Sequence, residues 1–132
     1  MQQSDELKSL VLQNYKTEAS SGGPLDVARR FYSRQDGVII VGSEPNDWFE
    51  DNDSIARFFE ASGADKLEIK VEVLKAYCEG TVGWTVDRVT VKLPNGGELP
   101  VRHTRIFHKE NDAWKVVHLH VSVAVPEESV GE

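Results

Sequence analysis

The first third of the chain repeats its apolar residues at the spacing of α-helices. Between Ser4 and Ala19 they recur every three or four positions, and Ser4 stands where a helix N-cap is expected. The segment "SSGGP", residues 20–24, breaks this pattern. Helical spacing returns in "LDVARRFYS", residues 25–33, which predicts a second and shorter helix.

A short strand and a third helix are predicted next. The β-branched run "GVIIVGS", residues 37–43, stands between glycines and is typical of a strand that is buried on both faces. In the following segment, residues 44–63, the apolar residues again have helical spacing. This pattern predicts a helix that Asp51 or Asp53 caps and Gly63 ends.

From Lys66 onward, apolar and polar residues alternate, which is the pattern of strands with one buried face. The turn segments "PNGGE" and "END" divide this half into a meander that ends with "AWKVVHLHVSVAV", residues 113–125. Three helices followed by about four antiparallel strands predict an α+β fold, with the helices packed on one face of a bent sheet.

Length and charge narrow the classes of function. The 132 residues predict one domain, residues 1–132, with 125–132 as a frayed tail. The net charge is −7 and the basic residues are scattered, which argues against a nucleic-acid partner. The N-terminus lacks the pattern of a signal peptide, no stretch is long and apolar enough to span a membrane, and Cys78 is the only cysteine. We therefore expect a cytoplasmic protein without membrane contact, and no motif indicates a cofactor.

Three segments resemble a known group of proteins. They are "GSEPNDWFEDNDSIARFF", "GWTVDRVTVKLPNGG" and "RHTRIFHKENDAWKVVHLHVSV". Together they resemble the nuclear transport factor 2-like superfamily, and its SnoaL-like branch most closely. The C-terminal part also resembles the association domain of calcium/calmodulin-dependent protein kinase II. The resemblance implies a cone-shaped, strongly curved antiparallel sheet packed on three N-terminal helices, with a pocket at the open end and frequent dimerisation. It implies no single chemistry.

Two arginines in the middle of predicted strands are candidate ligand anchors. Arg88 and Arg105 match two pocket arginines of the kinase association domain, and the third such position is Val121 here. If both point inward, their guanidinium groups would bind a carboxylate or another anionic oxygen group. The alternative is that one or both face solvent and pair with Asp87 or Glu72.

Aromatic residues supply the other candidates for a pocket. Trp48 and Trp84 lie where SnoaL-like relatives carry aromatic residues, and ordinary core packing is the alternative for both. Tyr15 and Tyr32 could each add a hydroxyl group to the pocket, but packing on a helix face is the favoured explanation for both. Asp47 precedes Trp48 and is, with Tyr15, a candidate proton carrier.

Three kinds of site lack support. The acidic segment 44–53 has neither the glycine nor the ligand spacing of an EF-hand. A ketosteroid isomerase needs a carboxylate base, a tyrosine and a protonated aspartic acid. Tyr15 resembles the tyrosine of that set, but the strand that should supply the acid offers His103 and Arg105. No nucleophile elbow is present, and no base is placed to activate Cys78.

The final strand carries two histidines on one side. The odd positions 117–125 are uniformly apolar and are predicted to face the core, so the even positions face outward. A metal would need a third ligand from His103, His108 or an acid, and no pattern identifies one, so we predict no metal site. We predict instead a dimer interface on the outer face, formed by Trp114, His118, His120 and Ser122.

The sequence thus predicts a homodimeric protein that binds a small organic molecule. An anionic molecule is one candidate for this ligand. Arg88, Arg105, Trp48, Trp84, Tyr15 and Asp47 are the predicted ligand-binding residues. Cofactor-free acid/base catalysis on a carbonyl-containing metabolite is one use of such a pocket. The alternative function is an oligomerisation module without catalytic activity.

Overall fold

Three helices precede the main strands, as predicted. The structure is a computed structural model that describes residues 1–19, 23–62 and 67–125. Helix α1 spans Asp5–Glu18, α2 spans Gly23–Phe31 and α3 spans Asn52–Ser62. Ser4 caps α1, because its hydroxyl accepts a hydrogen bond from the backbone N–H of Leu7 at 3.2 Å. The predicted end of the third helix at Gly63 lies outside the described residues.

The strands form one mostly antiparallel sheet. In chain order they are β1 (Gln2–Gln3), β2 (Ile39–Val41), β3 (Trp48–Phe49), β4 (Glu68–Glu79), β5 (Val82–Lys92), β6 (Glu98–Glu110) and β7 (Ala113–Val123). Their order across the sheet is β1-β4-β5-β6-β7-β2-β3. Strands β4 to β7 are the predicted meander, whereas the short strands β1 and β3 extend the two edges and were not predicted. Strand β2 pairs with β7 in parallel.

The two faces of the sheet have different surroundings. The face that the helices cover, here called the inner face, contributes Ala76, Phe107 and Leu119 to one core cluster with residues of all three helices. Burial of this apolar surface holds the helices on the sheet. The opposite side, here called the outer face, has no covering element among the described residues, and most of its side chains are exposed or half-buried. This α+β arrangement confirms the predicted fold class.

A β-bulge in β7 changes which residues face the helices. Ile106 pairs with His118, but the next residue, Phe107, pairs with Val116, so Val117 is an extra residue on β7. Before the bulge the even positions Trp114 and Val116 are buried, and after it the odd position Leu119 is buried. The predicted alternation along this strand is therefore correct only beyond Val117.

The turn between β6 and β7 has the expected chemistry. Asn111 and Asp112 both adopt positive φ, at 51° and 64°, as a tight hairpin turn requires, and Asn and Asp tolerate this region best after glycine. Of the predicted tail, only Val125 belongs to the described residues. None of the described helices combines the length and the apolar character of a membrane span.

Candidate functional site

A group of polar side chains lies on the inner face, next to the apolar core. Alternation along β5 directs Thr85 and Asp87 inward, and alternation along β6 directs His103 and Arg105 inward. Asp87 and His103 are direct partners across the two strands. Helix α1 brings the hydroxyl of Tyr15 onto the same group. We call Tyr15, Asp87, His103 and Arg105 the inner cluster.

The carboxylate of Asp87 is the centre of the inner cluster. Its Oδ2 accepts hydrogen bonds from the Tyr15 hydroxyl at 2.7 Å and from Nη1 of Arg105 at 2.8 Å. Its Oδ1 lies 2.8 Å from Nδ1 of His103. The side chains of Asp87 and Arg105 are 0% and 4% exposed. The two opposite charges therefore compensate each other away from water, in a geometry in which both carboxylate oxygens are bonded.

These contacts determine which nitrogen of His103 carries the proton in the neutral ring. A carboxylate only accepts, so Nδ1 must donate to Asp87, and Nε2 then carries the lone pair. Nε2 makes no hydrogen bond to any described residue. The imidazole keeps 14% of its surface exposed, whereas Asp87 keeps none. His103 is thus the member of the pair that a ligand can approach.

The electrostatic environment favours neutral His103 beside ionised Asp87. Burial lowers the pKa of His103 below its ordinary value, and the hydrogen bond to Asp87 offsets only part of that effect. Burial alone would raise the pKa of Asp87. The hydrogen bond from His103 and the charge of Arg105 outweigh it, so the pKa of Asp87 is lowered. At neutral pH the imidazole is therefore available as a base.

The other titratable groups near the cluster hold their protons more firmly. Burial raises the pKa of Tyr15, so its hydroxyl acts as a hydrogen-bond donor and not as a base. Burial also raises the pKa of Tyr32 and of Glu18, and the charge of Arg105 opposes the rise in both. Glu18 lies one helical turn beyond Tyr15 on α1, so the two side chains share one side of the helix.

Three buried polar atoms on α1, β5 and β6 take no part in the hydrogen bonds of the inner cluster. Nε of Arg105, Oγ1 of Thr85 and Oδ1 of Asn14 have no hydrogen-bond partner among the described residues. Thr85 and Arg105 are direct partners across β5 and β6, and Asn14 precedes Tyr15 on α1. Buried groups of this kind are costly when they lack a partner, so this part of the inner face retains unused capacity for hydrogen bonds.

The structure divides the predicted ligand-binding residues between the two faces. Tyr15 and Arg105 lie in the inner cluster. Arg88, Trp84 and Trp48 instead lie on the outer face, where Arg88 is exposed and Trp84 stacks on Tyr77. The expectation that these three share a pocket with Arg105 is wrong. On β5 the residues that face the helices are the odd-numbered ones. Trp48 on β3 pairs with Val41, whose other partner, His120, lies on the outer face.

Asp47 lies in the turn that joins β2 and β3. Its Oδ2 accepts a hydrogen bond from the backbone N–H of Glu44 at 3.2 Å, and its backbone carbonyl accepts from Gly42. Asp47 therefore stabilises the turn, and none of its hydrogen bonds reaches the inner cluster. Its predicted role as a proton carrier has no support in this position.

The residues predicted to form a dimer interface are also divided. His118, His120 and Ser122 lie on the outer face, where Nδ1 of His118 is 2.8 Å from the carbonyl oxygen of Ile39. Trp114 is 7% exposed and belongs to the core, so its predicted place on the outer face is wrong. The bulge at Val117 is the reason, because the residues before it have the opposite orientation.

Sequence reasoning did not select Asp87, His103 or Glu18 as site residues. It considered Asp87 only as a surface partner of an arginine. It considered His103 as a third metal ligand and as one of the residues on the strand that would supply the acid of a ketosteroid isomerase. One available signal was that Asp87 has the same alternation phase as Gly83, Thr85 and Val89, which are small or apolar. An acid on the apolar side of a strand needs a partner, and the neighbouring strand carries His103 and Arg105.

Other kinds of site receive no support from the described part of the chain. No three His, Cys, Asp or Glu side chains within it are grouped so that they could hold a metal ion. A surface groove beside the turn between β5 and β6 is lined by Leu67, Glu68, Lys92, Leu93, Pro94, Gly96 and Glu98, and it includes no residue of the inner cluster.

Comparisons with known proteins agree with this architecture. The model of the SnoaL-like domain family matches residues 12–126. No curated protein matches the sequence. A candidate association domain of calcium/calmodulin-dependent protein kinase II from Xanthomonas campestris is 20% identical, with a TM-score of 0.74, over 92% of this chain and 87% of the other.

Two further solved structures are similar to the chain. A nuclear transport factor 2-like protein of unknown function from Pseudomonas putida is 13% identical, with a TM-score of 0.75, over 96% of this chain and 93% of the other. A candidate ketosteroid isomerase from Shewanella frigidimarina is 17% identical, with a TM-score of 0.72, over 86% of this chain and 92% of the other. At these identities the likeness shows a common fold. Because the family model covers most of its length, the chain belongs to the SnoaL-like domain family, and it has the nuclear transport factor 2-like fold.

Proposed function

We propose that the protein binds a small carbonyl-containing molecule at the inner cluster and uses His103 as the proton acceptor in cofactor-free acid/base chemistry. The observation that carries this proposal is the pair formed by Asp87 and His103. A buried carboxylate holds Nδ1 of the ring at 2.8 Å, while Nε2 has no partner among the described residues and the ring keeps 14% of its surface exposed. Such a pair orients a general base and stabilises the cation that forms on it.

The proposed step is removal of a proton from the carbon next to the carbonyl. The C–H bond breaks, its electron pair moves into the enolate, and the proton is transferred to Nε2 of His103. The resulting imidazolium is stabilised by the negative charge of Asp87. Return of the proton to the same carbon or to another one regenerates the neutral base, so no oxidant, reductant or cofactor is consumed.

The charges of the inner cluster support an uncharged ligand. Arg105 was predicted to anchor an anionic group, but its positive charge is already compensated by Asp87 at 2.8 Å. With neutral Tyr15 and His103, these four side chains carry no net charge. A carboxylate at this position would therefore lose its hydration without gaining an uncompensated cation. The proposed ligand carries its carbonyl group without an adjacent negative charge.

Proton exchange in deuterated water tests this function. A panel of uncharged ketones and aldehydes is incubated with the protein, and loss of the signal of the proton next to the carbonyl is followed by NMR. We expect exchange with the wild-type protein that falls about 100-fold or more in His103→Gln, which is the typical contribution of a general base. Lys16→Gln is the matched control, because Lys16 is exposed on α1 beside Tyr15.

Equal exchange rates in the wild-type protein and in folded His103→Gln would refute the catalytic role of His103. Circular dichroism and the urea midpoint establish that the variant is folded. If no compound exchanges, but one stabilises the wild-type protein and not His103→Gln in a thermal shift assay, the site binds ligands without this chemistry. In that case the binding part of the proposal stands and the catalytic part is wrong.

A second candidate function is self-association, and the outer face favours it. Four of its apolar side chains, those of Val73, Val82, Val86 and Ile106, are exposed. Soluble monomers rarely expose a large contiguous apolar area, and such an area usually marks an interaction site. We propose that the protein forms a homodimer through this face, and a sedimentation experiment that finds only monomers would exclude it.

We also propose a cytoplasmic location, which the free thiol of the single cysteine, Cys78, supports.

A further inference from the structure

Glu18 brings a second carboxyl group close to the inner cluster. It stands three residues after Tyr15, so the two side chains share one side of α1 and are about 4.5 Å apart along the helix axis. The carboxyl group is close enough to Arg105 and Asp87 for their charges to act on its pKa. It also acts on the pKa of Tyr32, the residue that follows α2. Glu18 therefore lies between two helices and the polar centre of the inner face.

The carboxyl group of Glu18 is not committed to other parts of the protein. It forms no hydrogen bond or ion pair with a described residue, and the residue is only half-buried. By contrast, the Tyr15 hydroxyl donates to Asp87, and the charge of Arg105 is compensated by the same carboxylate. Glu18 and Nε2 of His103 are thus two hydrogen-bonding groups that a ligand beside the inner cluster can use.

The surroundings of this carboxyl group favour its protonated form. Burial raises the pKa of Glu18, and the negative charge of Asp87 adds to the rise, whereas Arg105 opposes it. Glu18 is also the last residue of α1, where the carbonyl end of the helix disfavours a negative charge. A protonated carboxyl group has one oxygen that donates a hydrogen bond and one that accepts. It is therefore suited to two oxygen atoms on neighbouring carbons of one ligand.

We propose that Glu18 recognises a hydroxyl group next to the carbonyl group of the ligand, so that the inner cluster takes uncharged α-hydroxycarbonyl compounds. One oxygen of the carboxyl group donates to the ligand's carbonyl oxygen, and the other accepts from the ligand's hydroxyl group. A protonated Glu18 adds no charge to the inner cluster, which agrees with an uncharged ligand. The inference rests on the proposed function of His103 and adds its substrate class.

This mode of binding leads to an isomerisation in which both residues transfer protons. Nε2 of His103 takes the proton of the carbon that carries the hydroxyl group. The electron pair of that C–H bond forms the C=C bond of an enediol, and Glu18 protonates the former carbonyl oxygen. The Glu18 carboxylate then takes the proton of the other hydroxyl group, which becomes the new carbonyl. The electron pair of the C=C bond takes the proton back from His103 at the neighbouring carbon. Both residues regain their initial state, so no oxidant or reductant is consumed.

Three probes that differ at one position test the recognition of the hydroxyl group. Hydroxyacetone carries the hydroxyl group, methoxyacetone carries an oxygen that cannot donate, and acetone carries neither. We expect proton exchange at the carbon that carries the oxygen to have a kcat/KM about tenfold or more higher for hydroxyacetone than for methoxyacetone. The methoxy compound is the fair comparison because its oxygen activates the same carbon. Any larger ketone that exchanges is compared with its own hydroxy and methoxy analogues.

Two variants separate recognition from proton transfer. Glu18→Leu removes both oxygens, so the preference for hydroxyacetone should disappear, and the remaining exchange of acetone should still depend on His103. Glu18→Gln keeps a donor and an acceptor but cannot transfer a proton. We expect it to retain the preference, while conversion of lactaldehyde into hydroxyacetone falls about 100-fold or more. Glu6→Leu is the matched control, because Glu6 is exposed in the first turn of α1.

The outcomes distinguish this inference from the proposed function. If acetone exchanges through His103 but hydroxyacetone is not preferred over methoxyacetone, the proposed function stands and the substrate class is wrong. If the preference persists in folded Glu18→Leu, the role of Glu18 is wrong. If Glu18→Gln still converts lactaldehyde at the wild-type rate, the proton transfer by Glu18 is wrong. If no compound exchanges at all, the isomerisation fails together with the catalytic role of His103.

Discussion

The Asp87 carboxylate is fully buried against Arg105, so its removal leaves a positive charge without a partner. The Tyr15 hydroxyl and the His103 ring lose a hydrogen-bond partner at the same time. Burying a charge without compensation costs far more than an exposed ion pair contributes. The stability of the inner cluster therefore depends on Asp87 more than on any contact at the surface.

Asp87→Asn tests this dependence because it keeps the shape of the side chain and removes its charge. We expect the free energy of unfolding in urea to fall by about 3–5 kcal/mol, the usual cost of breaking a buried pair. Arg88→Gln is the control, since Arg88 is the next residue and faces outward. Its effect should stay within about 0.5 kcal/mol. A loss below about 1 kcal/mol in Asp87→Asn would show that Arg105 has another compensating group.

The pKa shifts of His103 and Asp87 predict how stability depends on pH. Both pKa values are lowered in the folded protein, so the unfolded chain binds protons more readily. Stability should fall as pH drops below about 6.5, because the unfolded chain takes up a proton at His103 there and the folded protein, with the lowered pKa, does not. It should fall again below about 4 for the same reason at Asp87. The raised pKa of Glu18 acts in the opposite direction, as its contribution is lost when pH rises.

Urea midpoints between pH 3 and pH 8 measure this dependence. In His103→Gln the loss of stability just below pH 6.5 should be smaller than in the wild-type protein. The loss near pH 4 should remain. Identical curves for the two proteins in the upper part of the range would contradict a lowered pKa of His103.

Helix α1 approaches β5 closely at Gly83. A Cβ atom at Gly83 would clash with Cδ1 of Leu7, whose side chain is fully buried. Glycine at this position therefore sets how closely the helix approaches the strand. Since Tyr15 is two turns beyond Leu7 on the same helix, this contact also helps to position its hydroxyl over Asp87.

Gly83→Ala is expected to lower the free energy of unfolding by about 1–3 kcal/mol through overpacking. A double-mutant cycle with Leu7→Ala identifies the cause. Leu7→Ala alone costs about 2–5 kcal/mol, but it opens space for the new methyl group, so the double variant should cost less than the sum of the two. Additive losses would show that the methyl group is not opposed by Leu7.

The bulge at Val117 shows how one element controls two surfaces. It directs Trp114 into the core while leaving His118 and His120 on the outer face of the same strand. Without the extra residue, either Trp114 or the pair His118 and His120 would face the opposite side of the sheet. The bulge thus allows β7 to contribute to the core along its whole length and to the outer face beyond Val117.

The molecule as a whole keeps its two candidate functions on opposite faces of one sheet. The inner face carries the compensated pair of Asp87 and Arg105 and the accessible ring of His103, whereas the outer face carries exposed apolar side chains. Association through the outer face leaves the inner cluster unchanged. The two proposals are therefore independent in their tests.

Self-association predicts that thermal stability depends on protein concentration. Dimerisation stabilises the folded state by mass action, so Tm should rise as the concentration is increased across the dissociation constant. Differential scanning calorimetry over a range of protein concentrations measures this dependence. A constant Tm over a 100-fold range of concentration would contradict a dimer in that range.

Local patterns were sufficient for the three helices, the meander, the fold class and two residues of the inner cluster. Helical spacing, the Ser4 cap and strict alternation depend on neighbours in the chain, and they predicted three helices and the meander correctly. The resemblance to SnoaL-like proteins rested on such segments too, and the family was confirmed. Arg105 was selected because a charge in the middle of a strand needs a partner and because it matches a pocket arginine of the kinase association domain. Tyr15 was selected because its hydroxyl could contribute to a pocket.

Only the tertiary structure decided which face each side chain occupies and which partner it meets. On β5, polar residues stand at both alternation phases, so the choice between Asp87 and Arg88 for the inner face depends on how the whole strand packs. The bulge at Val117 reverses the phase within β7, and no local pattern marks it. The pairing of Asp87 with His103 depends on the register of β5 and β6. Burial and register are properties of contacts between distant segments, and the alternation of a single strand does not contain them.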